Sequence, residues 1–157
     1  VDSDQSDYII GHQKELYIFT RAFPIYILRN YMERNLYGFL IDNDIQLDIA
    51  NRRLVRIYTE KTEKTMLFCA VMLNDTMMDL LVCLLDQYGK NKTLSKEELL
   101  ENIWGKNNIS FSNQRLWQAI KELRAKLNLI GLPDSFIINV KGVGYAISSH
   151  RITPLFY

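Results

Sequence analysis

The segment from residue 112 to residue 147 constrains the fold of this chain more than any other part of it. Its first half places apolar residues on one stripe at helical spacing, and its second half alternates apolar and polar residues around a glycine-rich turn. The sequence therefore predicts a helix over residues 112–128, followed at once by a β-hairpin over residues 136–147. The apolar stripe of the helix consists of Leu116, Ile120, Leu123 and Leu127.

The face of this helix opposite the stripe carries side chains suited to nucleic acid. Glutamine amides pair with base edges, adenine above all, while arginine and lysine bind guanine or phosphate. Ordinary solvated helix faces carry the same residue types, so the pattern alone favours DNA only modestly. Trp117 is more typical of a core, and Glu122 is expected to pair with a cation or with a cytosine amine. The predicted contacts are Ser112 and Asn113 to phosphate at the helix N-terminus, Gln114, Arg115, Gln118 and Lys121 in the groove, and Arg124 and Lys126 mainly to phosphate.

The predicted hairpin carries a cation at its tip. Gly142 and Gly144 supply the backbone freedom that a tight turn needs, which leaves Lys141 at the tip with Asn139 on the same side. A cationic tip beside a groove-reading helix reaches a phosphate or the adjacent minor groove. The alternative is a hairpin whose lysine only keeps a sheet edge soluble. The predicted binding residues of the hairpin are Asn139, Lys141 and Gly142.

The chain before residue 112 predicts an antiparallel meander of four strands and then two helices. The strands fall at 39–41, 45–48, 54–58 and 66–73, and the last is apolar enough to be buried on both faces. Asn74 or Asp75 caps the first helix, and Gly89 ends it. Ser95 and Glu98 form a capping box at the start of the second helix, which Gly105 ends.

Composition excludes several classes of protein. A chain of 157 residues with 48% hydrophobic content predicts one domain with a real core. Cys69 and Cys83 lie in apolar runs without a CxxC pair or a Cys/His cluster, so we expect reduced thiols in the cytosol and no metal or cofactor. No apolar run approaches the roughly 20 residues of a membrane span. Neither His12 nor His150 lies in a catalytic motif, and we predict that the chain is not an enzyme.

Charge is distributed unevenly along the chain. Residues 106–157 carry seven basic and two acidic side chains, a net charge of +5, so the remainder of the chain carries −4. A basic end on an acidic body is typical of a protein that binds a polyanion at that end. Chance clustering on solvated faces produces the same asymmetry, so charge supports the DNA interpretation without deciding it.

Three motifs resemble the OmpR/PhoB-type effector domain. Residues 140–145, V-K-G-V-G-Y, resemble its V-[RK]-G-x-G-Y wing signature, and residues 94–105, L-S-K-E-E-L-L-E-N-I-W-G, are similar to its second helix. Residues 120–127, I-K-E-L-R-A-K-L, resemble its recognition helix. Residues 112–120 are similar to the ToxR/CadC-like branch, as is the expected absence of a receiver domain, since only about 37 residues precede the match.

The resemblance implies an α+β fold and a function. The fold is a winged helix-turn-helix over residues 38–149, in which a four-stranded antiparallel sheet precedes three helices and a C-terminal hairpin wing, with 1–37 as an N-terminal extension and 150–157 as a tail. The implied function is bacterial transcriptional regulation by binding double-stranded promoter DNA. The resemblance also implies that the protein lies in the cytoplasm, either free or as the cytoplasmic part of an inner-membrane-anchored regulator. The loop between the second and third helices is implied to contact RNA polymerase through Lys106, Asn107, Asn108 and Ile109.

Two questions stay open at the level of sequence. The apolar and aromatic residues 16–34 form either an extra element packed on the core or a dimerisation or partner surface. A single domain of this kind buries limited surface on DNA, so homodimeric or tandem binding to repeated half-sites is expected. The alternative function is a winged helix that binds protein rather than DNA, which Glu122, the modest net charge and the apolar segment favour.

Overall fold

The described part of the chain folds in order into a strand meander, three helices, a hairpin and one final strand. The computed structural model describes residues 35–59, 66–105 and 113–157, so the predicted N-terminal extension lies almost wholly outside the described residues. The predicted winged helix-turn-helix is confirmed. The elements are β1 Leu36–Ile41, β2 Ile45–Asp48, β3 Arg53–Thr59, β4 Met66–Met72, α1 Asp75–Tyr88, β5 Leu94–Ser95, α2 Lys96–Trp104, α3 Asn113–Leu129, β6 Ile137–Val140, β7 Gly144–Ile147 and β8 Ile152–Phe156.

The first sheet has five strands where the sequence predicts four. Its order is β4-β3-β2-β1-β8, and every neighbouring pair is antiparallel. The fifth strand lies within residues 150–157, which were predicted to be a tail; Ile152 pairs with Ile41 and Pro154 with Phe39. Proline lacks a backbone donor and is tolerated on an edge strand, which is the position of β8.

Strand β4 differs from the prediction that it is buried on both faces. Phe68 is 65% exposed and Met72 is 59% exposed, whereas Val71 between them is buried. The reason is that only the inner face of the sheet packs against the core, so alternate side chains of β4 lie on the outer face, as does Ile57 on the neighbouring β3. A nearly continuous apolar run does not reveal by itself that only half of its side chains are covered.

The core lies between the first sheet and the helices. The inner face of the sheet contributes the buried cross-strand row formed by Phe39, Leu47, Leu54 and Val71. Helix α1 is buried along most of its length and packs against α2, α3 and β7. The predicted stripe of α3 is confirmed, because its four residues are at most 1% exposed. None of the described helices is both long and apolar enough to cross a membrane.

The predicted caps fix where the first two helices begin. Asn74 caps α1, since its Oδ1 accepts from the backbone N–H of Met77 at 2.9 Å. The capping box of α2 is confirmed: Glu98 N–H donates to Ser95 Oγ at 3.0 Å, and Ser95 N–H donates to Glu98 Oε2 at 2.9 Å. Hydrogen bonds from Lys92 and from the Ser95 backbone lower the pKa of Glu98 and keep this cap charged.

Arg56 fixes the C-terminal end of α3 on the first sheet. Its Nη1 donates to the carbonyl of Ile130 at 3.0 Å, and its Nε donates to Asp44 Oδ2 at 2.9 Å. Gly131 adopts φ +94°, a conformation that favours glycine, and a Cβ there would also lie 2.3 Å from the same Nη1. The charge-assisted bonds hold the orientation of α3 relative to the sheet.

The buried carboxyl group of Asp79 is expected to give the protein an unusual dependence of stability on pH. It is 6% exposed on α1, and its Oδ1 has no hydrogen-bond partner among the described residues. Burial, reinforced by the carboxylate of Asp75, raises the pKa of Asp79 from 3.8 to about 7. Between these values the folded state holds more protons than the unfolded state, so the free energy of unfolding falls as pH rises, by about 1–3 kcal/mol.

We expect Asp79→Asn to remove this decline and to be more stable than the unmodified chain above about pH 7. Urea denaturation followed by circular dichroism from about pH 4 to pH 8 measures how the free energy of unfolding of each protein changes with pH. Asp134→Asn, at an exposed carboxylate, is the control and keeps the decline. A stability that stays flat over this range in the unmodified chain contradicts the prediction.

Candidate nucleic-acid interface

Helix α3 presents its polar face to solvent. Gln114, Gln118 and Lys121 are exposed, as is Asn113 at the first position of the helix. Gln114, Gln118 and Lys121 lie opposite the buried stripe, so the core packing of α3 fixes which side chains face outwards. The structure therefore brings three of the four predicted groove-contacting residues, Gln114, Gln118 and Lys121, together on one accessible surface, here called the reading face.

Two side-chain pairs order the middle of the reading face. Gln118 Nε2 donates to Glu122 Oε1 at 2.9 Å, so Glu122 accepts from a neighbouring amide, whereas a cation or a cytosine amine was the expected partner. Lys121 Nζ lies 5.3 Å from the ring centroid of Trp117, a cation–π distance. Both pairs span one helical turn at i, i+4 and restrict the rotamers of the side chains that would read bases.

Trp117 is a residue that the sequence interpretation misplaced. It was expected to be more typical of the core, yet it is 53% exposed. The available signal was its position directly after Leu116, which places it at the margin of the apolar stripe rather than within it. It adds an aromatic surface to the reading face.

Arg115 points from α3 towards α2. Its Cζ lies 5.8 Å from the ring centroid of Trp104, in the last turn of α2. Arg115, Gln118 and Glu122 share one side of a cleft of about 230 Å³, and Asn74 at the start of α1 lines the other side. The polar surface of α3 thus continues towards the first two helices.

Arg124 connects α3 to the hairpin. It is half-buried, and its Nη2 donates to the backbone carbonyl of Ile137 at the start of β6. Part of the guanidinium is therefore occupied in holding the hairpin beside the helix. Lys126 is also half-buried. The predicted phosphate contacts of both residues stay predictions.

The hairpin forms as predicted, with an exposed cation at its turn. Strands β6 and β7 pair antiparallel, and the turn closes through Val143 N–H donating to the carbonyl of Val140 at 2.9 Å. Gly142 adopts φ +75°, a conformation that favours glycine. Lys141 and Asn139 are both exposed.

Gly144 is required for a different reason from the predicted one. It is not among the residues with positive φ. A Cβ at this position would lie 1.8 Å from the carbonyl oxygen of Leu94, because β5 pairs with β7 at this point. The second sheet, of order β5-β7-β6, therefore depends on a close backbone approach, and this approach ties the wing to the start of α2.

Five predicted residues lie outside the described residues. Ser112 is one of them, so its expected capping of α3 stays a prediction. The others are those of the predicted RNA polymerase loop, namely Lys106, Asn107, Asn108 and Ile109.

Comparison with known families identifies the domain. The model of the family described as "Transcriptional regulatory protein, C terminal" matches residues 70–147, which extend from β4 to the end of the wing. Residues 70–147 belong to this family. The predicted OmpR/PhoB-type effector domain is thereby confirmed, and the family is a regulatory domain rather than a class of enzyme. No curated protein sequence matches the chain at a significant level.

Solved structures share the fold. The DNA-binding domain of E. coli CadC superposes with a TM-score of 0.56 at 22% identity, and the match covers 78% of this chain and 99% of that one. The DNA-binding domain of the response regulator AdeR, solved in complex with an intercistronic region, gives a TM-score of 0.51 at 21% identity, with 68% and 95% covered. These similarities show that the chain shares its overall fold with both domains.

Proposed function

We propose that this chain is a sequence-specific double-stranded DNA-binding regulator of transcription. The observation that carries the proposal is the exposed reading face on a helix whose opposite side is buried. A helix presenting amides and cations in this way fits the major groove, where base edges show distinct donor and acceptor patterns. The family match and the DNA complex of AdeR support the same function.

In the proposed complex, α3 lies in the major groove with its N-terminal half leading. Gln114, Arg115, Gln118 and Lys121 contact base edges, and Asn113 with the helix N-terminus binds phosphate. Lys141 at the wing tip contacts phosphate or the adjacent minor groove, and Asn139 supports it. Arg124 and Lys126 contribute to the positive potential beside the helix, while Arg124 also positions the wing.

Two substitutions separate backbone contacts from base readout. Lys141→Ala is expected to weaken binding to all DNA sequences alike, by about threefold to tenfold, because a phosphate contact carries no sequence information. Gln118→Ala is expected to change base preference at one position, where a good amide contact contributes about 1–3 kcal/mol of discrimination. Selection from a random duplex library, followed by titration of the selected and scrambled duplexes, measures both effects.

Arg151→Ala removes an exposed cation away from the reading face and the wing tip, and it serves as the matched control for charge. The proposed docking is wrong if Gln118→Ala selects the same sequences as the unmodified chain and Lys141→Ala binds as tightly.

We further propose that the protein binds its sites as a dimer or in tandem, and that the loop containing residues 106–109 contacts RNA polymerase. The first part rests on size, because one recognition helix and one wing cover a limited surface of DNA and give a moderate affinity. The second part rests on the family resemblance alone. Analytical ultracentrifugation of the chain with duplexes bearing one or two half-sites tests the first part.

A further inference from the structure

The outer face of the first sheet carries apolar side chains at its β3–β4 end. On the inner face, the cross-strand pair Leu54 and Val71 is buried. On the outer face, Ile57 is 50% exposed, and its cross-strand partner Phe68 is 65% exposed. The outer patch is defined here as the five apolar side chains of this face on β3 and β4, namely Val55, Ile57, Phe68, Ala70 and Met72.

We propose that residues 16–34 of the same chain dock on the outer patch. This segment contains eleven large apolar or aromatic side chains among its nineteen residues, with three arginines and one glutamate. A segment this rich in apolar side chains is seldom left in water, and an exposed apolar patch of a few hundred Å² often marks a contact surface. One contact covers both surfaces. The inference does not depend on DNA binding.

The position at which the segment joins the described fold favours this contact. Residue 34 is followed by Asn35 and then by β1. Gly38, near the start of β1, lies in the same cross-strand row as Asp48, Arg53 and, at the edge, Met72. The segment therefore joins the sheet at β1, near the cross-strand row that contains Met72 but three strands away from Met72 itself.

The length of the segment is sufficient to cross the patch. From β1 to β4 there are three strand spacings, about 14 Å, and from Arg53 to Ile57 the chain advances about 13 Å. The diagonal of roughly 20 Å is spanned by about six extended residues or about thirteen helical ones. Nineteen residues reach the far end of the patch in either conformation.

The size of the patch favours a segment of the same chain over a second copy. A single aromatic side chain offers roughly 150–250 Å², so five partly exposed apolar side chains present on the order of 400 Å². A stable protein–protein interface buries about 800 Å² on each partner. A tethered segment needs less area, because its effective concentration beside the patch is in the millimolar range.

A nitroxide label on the outer face tests the proposal in the full chain. Thr153 is exposed on β8 and pairs with Leu40, which belongs to the same outer row as Ala70. Thr153→Cys is labelled in a Cys69→Ser background; the remaining thiol, Cys83, is fully buried, and burial raises its pKa, so it does not react. Amide resonances of residues 16–34 are expected to lose most of their intensity until the label is reduced.

Four further samples make the result decisive. A label at Lys141→Cys on the wing is expected to leave the same resonances unchanged. In the Thr153 background, Phe68→Glu is expected to restore most of the lost intensity, whereas Phe68→Leu keeps the broadening. A mixture of labelled protein at natural isotope abundance with unlabelled ¹⁵N-protein is expected to show no broadening. Broadening in that mixture would show that the patch binds a second copy of the chain. The absence of broadening from every sample would show that the segment does not dock on the patch. Either result overturns the proposal.

Discussion

Gly144→Ala is expected to lower the free energy of unfolding by about 3 kcal/mol. The added Cβ would lie 1.8 Å from the carbonyl oxygen of Leu94, 2.7 Å from its carbonyl carbon and 2.8 Å from Ser95 Cα. All three are backbone atoms, so no side-chain rotation relieves the contact. Separation of β5 from β7 would break the pairing of Ser95 with Gly144 and disturb the residue that caps α2.

Gly89→Ala is the matched control for this substitution. Gly89 has φ −61° and ψ −18°, and a Cβ there meets nothing within 4 Å. The control is expected to be neutral or to stabilise the protein by about 0.4–1 kcal/mol, since alanine restricts the unfolded chain. Equilibrium denaturation in urea gives both values. Equal stabilities for Gly144→Ala and the unmodified chain would contradict the close approach of β5 and β7.

Lys121→Glu is expected to weaken binding to duplex DNA by about 100-fold at low salt. The lysine is exposed on the reading face, beside the Trp117 ring. Charge reversal there removes an attraction to the DNA backbone and adds a repulsion, each contributing about 1.4 kcal/mol near the surface. The folded structure tolerates the change, because the side chain contributes nothing to the core.

Arg151→Glu provides the control for net charge. Arg151 is exposed just before β8, and its reversal changes the charge of the chain by the same amount. Fluorescence anisotropy with a labelled duplex is expected to show a loss of less than about threefold for this variant. Equal losses for the two variants would mean that total charge, and not the reading face, governs binding.

The features that sequence predicted are those encoded within a few residues of one another. The stripe of α3 follows from spacing along one helix, and the cap at Ser95 follows from a glutamate three residues later. The glycine-rich turn of the wing is local in the same sense. The candidate reading face was predictable because burial of the stripe leaves its opposite side exposed.

The features that sequence missed depend on parts of the chain that are far apart. Strand β8 exists because residues near 41 and 152 pair, and nothing in the short segment around Pro154 indicates that partner. Its approach is held by Tyr88, whose hydroxyl donates to the carbonyl of His150 at 2.6 Å. The exposure of Phe68 and Met72 depends on which face of the sheet packs against the core, and the need for Gly144 depends on its pairing with β5; the residues next to them in sequence indicate neither.

The salt dependence of DNA binding by the full chain tests the central claim most directly. If the reading face and the wing together neutralise about five phosphates, the logarithm of the binding constant falls with the logarithm of salt concentration at a slope near −4 to −5. Lys141→Ala is expected to reduce the magnitude of that slope by about one. A slope near zero, or no binding to any duplex at low salt, would contradict the assignment of this surface to DNA.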